Sequence, residues 1–326
     1  MKSLLVSLMF CLTLLGCGGG DSFCGIGSTG CGGGDTQTSV ASAGTEIKWQ
    51  LDGQTLGAKG NYTAIVHDGA VLRVFSNFKG GTLLNLFDDE LTKEAKLYQW
   101  TGTWQGVGDL KTVVDLPDQF IRTIGIQRSA TGKCYGLLRV GTSYGGGGYF
   151  PSWFESDTKC ENWTQVAAKV WGGTGDGFNT LTLNEAAGSV VDSANPRNNR
   201  YTALGDGLGR KIGLAYSANG VDWLFDAREL APAELAGINS TFATEVRTPF
   251  GYHMIVADWD GSKATRHLHL YSCDGISYRV LDTAAPTFNG PKGTAMLYEQ
   301  STGLVHTLTN GKHLTFQAEQ LACASK

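Results

Sequence analysis

Residues 216–223 read Tyr216-Ser217-Ala218-Asn219-Gly220-Val221-Asp222-Trp223, and residues 271–278 read Tyr271-Ser272-Cys273-Asp274-Gly275-Ile276-Ser277-Tyr278. Both place Tyr-Ser, an Asn or Asp, a Gly and a closing aromatic at the same spacing. A looser copy, one residue longer, is Glu155-Ser156-Asp157-Thr158-Lys159-Cys160-Glu161-Asn162-Trp163, and a worn one runs from Tyr98 to Trp104. The closing aromatics Trp104, Trp163, Trp223 and Tyr278 are 59, 60 and 55 residues apart. In such a turn the Ser and Asn/Asp side chains bond the turn's own amides, and Gly supplies the positive-φ position. The aromatic then starts the next strand. A unit repeated at this period is one supersecondary element that buries its faces only against neighbouring copies.

Working outward, short apolar runs alternate with turn residues: AVLRVFS (70–76), CYGLLRVG (134–141), RYTALG (200–205), YHMIVAD (252–258) and LVHTLT (304–309). Val, Leu, Tyr and Thr between Gly, Asn and Asp are strand signals. Only 89–97 and 229–236 suit a helical turn or two. Each unit therefore reads as a four-stranded antiparallel blade with the repeated turn between its third and fourth strands. A shorter unit, Gly293 to Phe316, makes five. The expectation is an all-β, five-bladed β-propeller over 45–326, against a sandwich in which strand and turn recur by chance.

Composition agrees. The 326 residues include 46 Gly and 7 Pro, with 41% hydrophobic and 17% charged residues. There is no three-residue glycine period, and the apolar fraction is too high for disorder. Net charge is −4 without a Lys/Arg run, which speaks against a nucleic-acid partner.

The first 16 residues, with Lys2 ahead of the apolar stretch Leu4–Leu15, read as a signal peptide too short to span a bilayer. Leu14-Leu15-Gly16-Cys17 resembles the bacterial lipobox, which implies cleavage before Cys17 and lipidation of its sulfur. Gly18 rather than Asp follows, so in a Gram-negative host the outer membrane is the expected destination. Residues 17–44 read as the lipidated cysteine plus a flexible glycine-rich tether. Setting aside Cys11 and Cys17, six cysteines remain, an even number suited to disulfides in an oxidising compartment. Sequence does not choose among their 15 pairings; the expected set is Cys24–Cys31, Cys134–Cys160 and Cys273–Cys323.

The S-x-[ND]-G-x-x-[WY] turn after a strand ending in Tyr-Ser resembles the blades of the five-bladed propeller glycosidases, the arabinanase/xylosidase and levanase/invertase group. Residues 188–223 carry the likeness most fully, and the fourth blade (TEVRTPFGYHMIVADWDG…HLHLYSCDGISY) has the same layout. The resemblance implies a site on the ring axis, where each innermost strand begins, with second-to-third-strand loops forming its rim. It also implies a carboxylate base in blade one, a supporting carboxylate in blade three and a carboxylic acid in blade four. Glycoside hydrolysis needs two carboxylates flanking the sugar. Carried over by position, Glu245 is the general-acid candidate. Glu185, just before Gly188-Ser189-Val190-Val191, is the supporting candidate, with Asp192 a strand-end or turn residue. Asn61 stands where the base aspartate belongs, and an amide cannot serve as that base.

The rim offers Tyr144 and Tyr149 in loop 142–150, Trp171 in loop 171–179, and Asp258, Trp259 and Asp260 in loop 258–266. Aromatic faces beside carboxylates suit stacking on sugar C–H surfaces and bonding of hydroxyls. Arg122, Arg247 and Lys292 near inner-strand starts suit an acidic sugar. Trp104, Trp163 and Trp223 read as packing between blades. His253, His267, His269, His306 and His313 read as strand residues; His267 and His269 share a face, without a third ligand to suggest a metal. No cofactor is expected. Two readings follow: a monomeric, envelope-anchored propeller that binds carbohydrate or a cell-surface ligand as an interaction platform, or an active glycoside hydrolase.

Overall fold

The structure, a computed structural model, describes residues 50–55, 62–67, 71–76, 96–104, 108–142, 149–171, 178–207, 211–226, 228, 230, 242–259, 264–284, 295–309 and 312–323. Among the described residues, twenty strands form five four-stranded antiparallel sheets. Blade 1 is β2 (Tyr62–His67), β3 (Leu72–Ser76), β4 (Lys96–Gly102) and β5 (Gly108–Asp115). Blade 2 is β6 (Phe120–Arg128), β7 (Cys134–Gly141), β8 (Tyr149–Ser156) and β9 (Trp163–Ala167). Blade 3 is β10 (Phe178–Leu183), β11 (Tyr201–Gly207), β12 (Lys211–Ser217) and β13 (Leu224–Asp226). Blade 4 is β14 (Phe242–Thr248), β15 (Gly251–Trp259), β16 (Ala264–Ser272) and β17 (Arg279–Ala284).

Blade 5 is composite. Its inner strands are β18 (Ala295–Glu299), β19 (Leu304–Thr309) and β20 (Lys312–Gln317), and its outermost strand is β1 (Gln50–Thr55). β1 pairs with β20 through Gln50 opposite Thr315 and Leu51 opposite Leu314. The last unit of the repeat is short because the start of the domain completes it.

The innermost strands β2, β6, β10, β14 and β18 each touch the next, and β18 touches β2, which closes the ring. Antiparallel order then sorts the connections onto two faces. Inner-strand starts, second-to-third-strand loops and blade crossovers share one face, the mouth. First-to-second and third-to-fourth turns share the other, the base.

Each of the five apolar clusters lies across a seam between blades. Val66, Phe75 and Leu97 of blade 1 meet Ile121, Leu138 and Phe154 of blade 2. Leu137 and Trp153 meet Leu181 and Ala203 of blade 3. Leu204 and Leu214 meet Met254 and Leu270 of blade 4. Ile255 and Tyr271 meet Val305 and Phe316 of blade 5. Ile65, Val74 and Trp100 meet Ala295 and Leu308, completing the circle. A buried Leu, Ile or Phe side chain contributes about 1.5–3 kcal/mol, so stability resides in the seams and one blade has none to spare alone.

The repeated turns are built as their residues dictate. Ser217 Oγ accepts the Gly220 amide at 2.9 Å, and Asn219 Oδ1 accepts those of Val221 and Asp222, each at 2.9 Å. Ser272 Oγ and Asp274 Oδ1 repeat this for Gly275, Ile276 and Ser277. Burial opposes the Asp274 charge, yet these amides hold its carboxyl below its ordinary value. Gly220 and Gly275 have φ of 79° and 72°, in the region glycine enters without steric cost. In the longer copy Cys160 takes that conformation, φ 55°, and is bonded to Cys134. The Trp163 and Trp223 indoles donate to the Cys160 and Gly220 carbonyls at 2.7 and 2.6 Å.

Cys134–Cys160 joins β7 to the third-to-fourth turn of blade 2, and Cys273–Cys323 ties the chain after β20 to the matching turn of blade 4. Both pairings are those expected; Cys24, Cys31 and Cys17 lie outside the described residues. Of the two expected helical stretches, residues 96 and 97 open β4, and most of 229–236 lies outside the described residues. The only described helical turn is the 3-10 segment Pro196–Asn198.

Candidate functional site at the mouth of the ring

At the mouth, β2, β6, β10, β14 and β18 begin with Tyr62, Phe120, Phe178, Phe242 and Ala295. Asn61 immediately precedes β2 in the chain and lies outside the described residues. Tyr149 opens β8 opposite Gly141, and Asp258 and Trp259 end β15 opposite Arg266 and Ala264, past a register shift. Strand polarity thus assigns the ends of these two second-to-third-strand loops to the mouth. Tyr144, Asp260 and Lys292 lie outside the described residues.

Sequence reasoning overlooked Asp118. It lies two residues before β6, is exposed, and has φ 62°; a backbone left-handed at a non-glycine residue is uncommon and marks a shaped turn. The available signal is Asp-x-aromatic at an inner-strand start. Asp176-Gly177-Phe178 has the same spacing at β10, with Asp176 outside the described residues.

Trp171 is half-buried. Its ring packs against Phe225 at 5.8 Å between centroids and joins the apolar cluster of blades 2 and 3. Arg122 is the third residue of β6 and partly buried, paired in register with Arg139. Arg247 is exposed near the base end of β14, opposite Tyr252, rather than at the strand's start.

The structure does not bring Glu185 and Glu245 together. The run Gly188–Val191 is an exposed connection and not a strand; Val190 is 82% exposed. The inner strand of blade 3 is β10, so Glu185 follows its end, at the base. There its carboxylate oxygens accept the Ala130 amide of the β6–β7 turn at 2.8 and 3.0 Å. Asp192 is a turn residue, accepting from Asn195 and Asn198; these bonds hold its carboxyl below the usual range.

Glu245 lies midway along β14 and is 3% exposed. Its Oε1 accepts Arg197 Nη1 at 2.7 Å and Thr182 Oγ1 at 3.2 Å. Its Oε2 accepts Arg197 Nη2 at 2.6 Å and the Tyr278 hydroxyl. Arg197 also donates Nε to the Gly275 carbonyl at 2.8 Å and Nη1 to Thr202 Oγ1 at 3.3 Å. Burial opposes the Arg197 charge, but Glu245 outweighs it and holds the guanidinium protonated beyond its ordinary range. Burial first, then Glu245, pushes the Tyr278 hydroxyl well up. This closed, bidentate network crosses the seam between blades 3 and 4.

Among the described residues no cluster of His, Cys, Asp and Glu has the arrangement of a metal site.

Strand count, ring closure and the mouth–base polarity define a five-bladed β-propeller. No protein-family model and no curated protein matches the chain. Solved structures do. An exo-β-1,3-galactanase from Phanerochaete chrysosporium, solved with galactose, superposes with a TM-score of 0.54 at 11% identity, over 81% of this chain and 60% of that one. A family-43 β-1,3-galactosidase with galactodeoxynojirimycin gives 0.52 at 9% identity, over 78% and 90%. A thermostable family-43 glycoside hydrolase gives 0.50 at 8% identity, over 87% and 98%. The chain spans about three fifths of the galactanase's length. These likenesses establish the fold, that of the family-43 propellers.

Proposed function

We propose that this chain is a carbohydrate-binding propeller, held at a bacterial envelope by lipid on Cys17, that works as a binding or interaction platform and not as a hydrolase. The observation that carries the reading is the state of Glu245. A general acid must reach substrate and exchange its proton, whereas this carboxylate is buried and both its oxygens are taken. Asn61 in place of the base, and Glu185 at the base of the ring, support the same conclusion. Binding would draw on Tyr149, Asp258 and Trp259 at the mouth ends of their strands and on exposed Asp118, with Tyr144 and Asp176 as candidates from the sequence alone. The solved neighbours include proteins crystallised with galactose or a sugar mimic.

Glycan-array binding by the chain, followed by chromatography of each bound glycan after prolonged incubation, tests this. Binding without sugar release is expected, with Trp259→Ala weakening it at least about tenfold, as loss of one stacking ring does. Sugar release would overturn the platform reading in favour of a hydrolase, and binding to no glycan would overturn the carbohydrate reading. The anchor is tested by metabolic labelling with an alkyne fatty acid: wild type incorporates label into the membrane fraction and Cys17→Ser does not. Equal labelling of both would place the lipid elsewhere.

A further inference from the structure

All six histidines of the chain fall in blades 4, 5 and 1. Two of the seams differ chemically from the other three. Between blades 1 and 2, Glu161 bonds Lys111 at 2.5 Å and faces Arg73 at 3.7 Å. Between blades 2 and 3 the Glu185 carboxylate binds the Ala130 amide, and between 3 and 4 stands Arg197–Glu245. None of these polar contacts in the three seams involves a histidine. The two flanks of blade 5 carry histidine pairs instead.

On the blade 4 side, His253 Nδ1 lies 3.0 Å from His269 Nε2. Both rings sit 5.0 Å from Phe316 of β20, and His253 lies 5.0 Å from Tyr271. His267 is buried on the same strand, two residues before His269. Burial pushes His253 down to about 3. Burial and then His253 push His269 well below the imidazole range.

On the blade 1 side, His306 Nδ1 lies 2.9 Å from His313 Nε2, and His306 Nε2 lies 3.0 Å from Glu299 Oε2. His67 Nδ1 of β2 faces Glu299 Oε1 at 3.4 Å, and Thr302 Oγ1 donates to Oε2 at 2.8 Å. Trp104, after β4, stacks on His306 at 4.2 Å and on His313 at 4.3 Å. Burial and then His313 push His306 down to about 4, against the pull of Glu299.

We propose that blade 5 is an acid-responsive element, which loosens from blades 4 and 1 when its bordering histidine pairs take up protons while blades 2 and 3 hold. The geometry permits such local opening. Blade 5 contains the first strand of the ring as well as its last three, so parting β1 from β20 breaks no chain connection within a blade. The Cys273–Cys323 bond keeps the end of the ring leashed to blade 4. Protonating either pair sets a cation against a second imidazole in a buried site that solvates charge poorly. A histidine neutral in the closed blade and protonated in the open one favours opening about tenfold per pH unit below about 6.5.

Hydrogen–deuterium exchange of the full chain at about pH 7 and about pH 5, corrected for intrinsic exchange, reads this directly. Expected is a fall of at least about tenfold in protection of 295–317 and 50–55, with under about threefold change in 120–167 and 178–226. Unchanged protection in blade 5, or an equal fall in every blade, would overturn the proposal. In the double variant His269→Gln, His313→Gln an amide replaces each Nε2 and does not titrate. With two of the four bordering imidazoles removed, its blade 5 response should be at least about threefold smaller than that of wild type, and a response equal to wild type would also overturn the proposal. Should that variant fail to fold, the wild-type comparison decides alone.

Discussion

Between blades 3 and 4 the buried charge is paired: Arg197 and Glu245 neutralise one another, and Thr182, Thr202, Tyr278 and the Gly275 carbonyl complete their bonds. Between blades 5 and 1 the buried polar groups are titratable: His313, His306, Glu299 and His67 follow one another beneath Trp104. Both seams face the same difficulty, polar atoms closed inside a ring of apolar seams. In the first each donor of Arg197 finds an acceptor and its charge a counter-charge; in the second the imidazoles stay neutral only while protons stay away. A propeller needs each seam intact, so the two chemistries set different conditions under which the ring holds.

The largest effect comes from breaking the matched pair. Glu245→Gln keeps the shape but leaves the Arg197 guanidinium buried without a counter-charge, which costs about 3–5 kcal/mol. Chemical denaturation at neutral pH measures it. Because the substitution touches none of the histidines, the variant's stability should keep the wild-type pH slope between about pH 7 and about pH 5. A slope that changed with this substitution would mean the two seams are coupled rather than independent.

Next comes the other seam. Trp104→Ala strips the cover from His306 and His313, and for a half-buried indole the expected loss is about 2 kcal/mol at neutral pH. Its effect on pH dependence has the opposite sign to a simple weakening. In wild type His306 titrates near 4 in the folded state and near its ordinary 6.5 when unfolded. Between those values the unfolded chain binds more protons, so stability falls as pH drops through this window, at about 1.4 kcal/mol per unit for such a histidine. Admitting water to the ring raises its folded value and narrows the window. Trp104→Ala should therefore be less stable at pH 7 yet less acid-sensitive, as thermal melts across the window would read.

What could be read in advance follows from range. The turns were legible because each is closed by bonds two to four residues apart, from Ser217 to Gly220 or Asp274 to Ser277, and such chemistry recurs wherever the residues recur. The ring followed from the period. The composite blade 5 was not legible, since β1 carries no copy of the turn and its partner β20 lies at the other end of the domain. The site was only partly legible. Gly188-Ser189-Val190-Val191 reads as a strand start, but Asp192 and Asn199 fold it into an exposed connection through bonds no periodicity encodes, and Glu185 moves to the base with it. Arg197, from the same unrepeated connection, decides the state of Glu245 across 48 residues.

The smallest effect tests whether the turns belong to a seam or only to their blade. Asn219→Ala removes the acceptor for the Val221 and Asp222 amides, which are exposed and can turn to water, so the loss should be about 1 kcal/mol. Gly220 should keep its conformation, because Ser217 still accepts its amide. That matters for the neighbour: an added Cβ at Gly220 would run into the Trp153 indole of blade 2, so this glycine, with Val221 and Trp223 and unlike Asn219, packs across the seam. Gly220→Ala meets both that clash and the positive φ, and should cost about 2–4 kcal/mol. If the two substitutions cost the same by chemical denaturation, the turn's own bonds carry its stability. A gap of about 1 kcal/mol or more, with Gly220→Ala the worse, assigns the turn to the packing between blades.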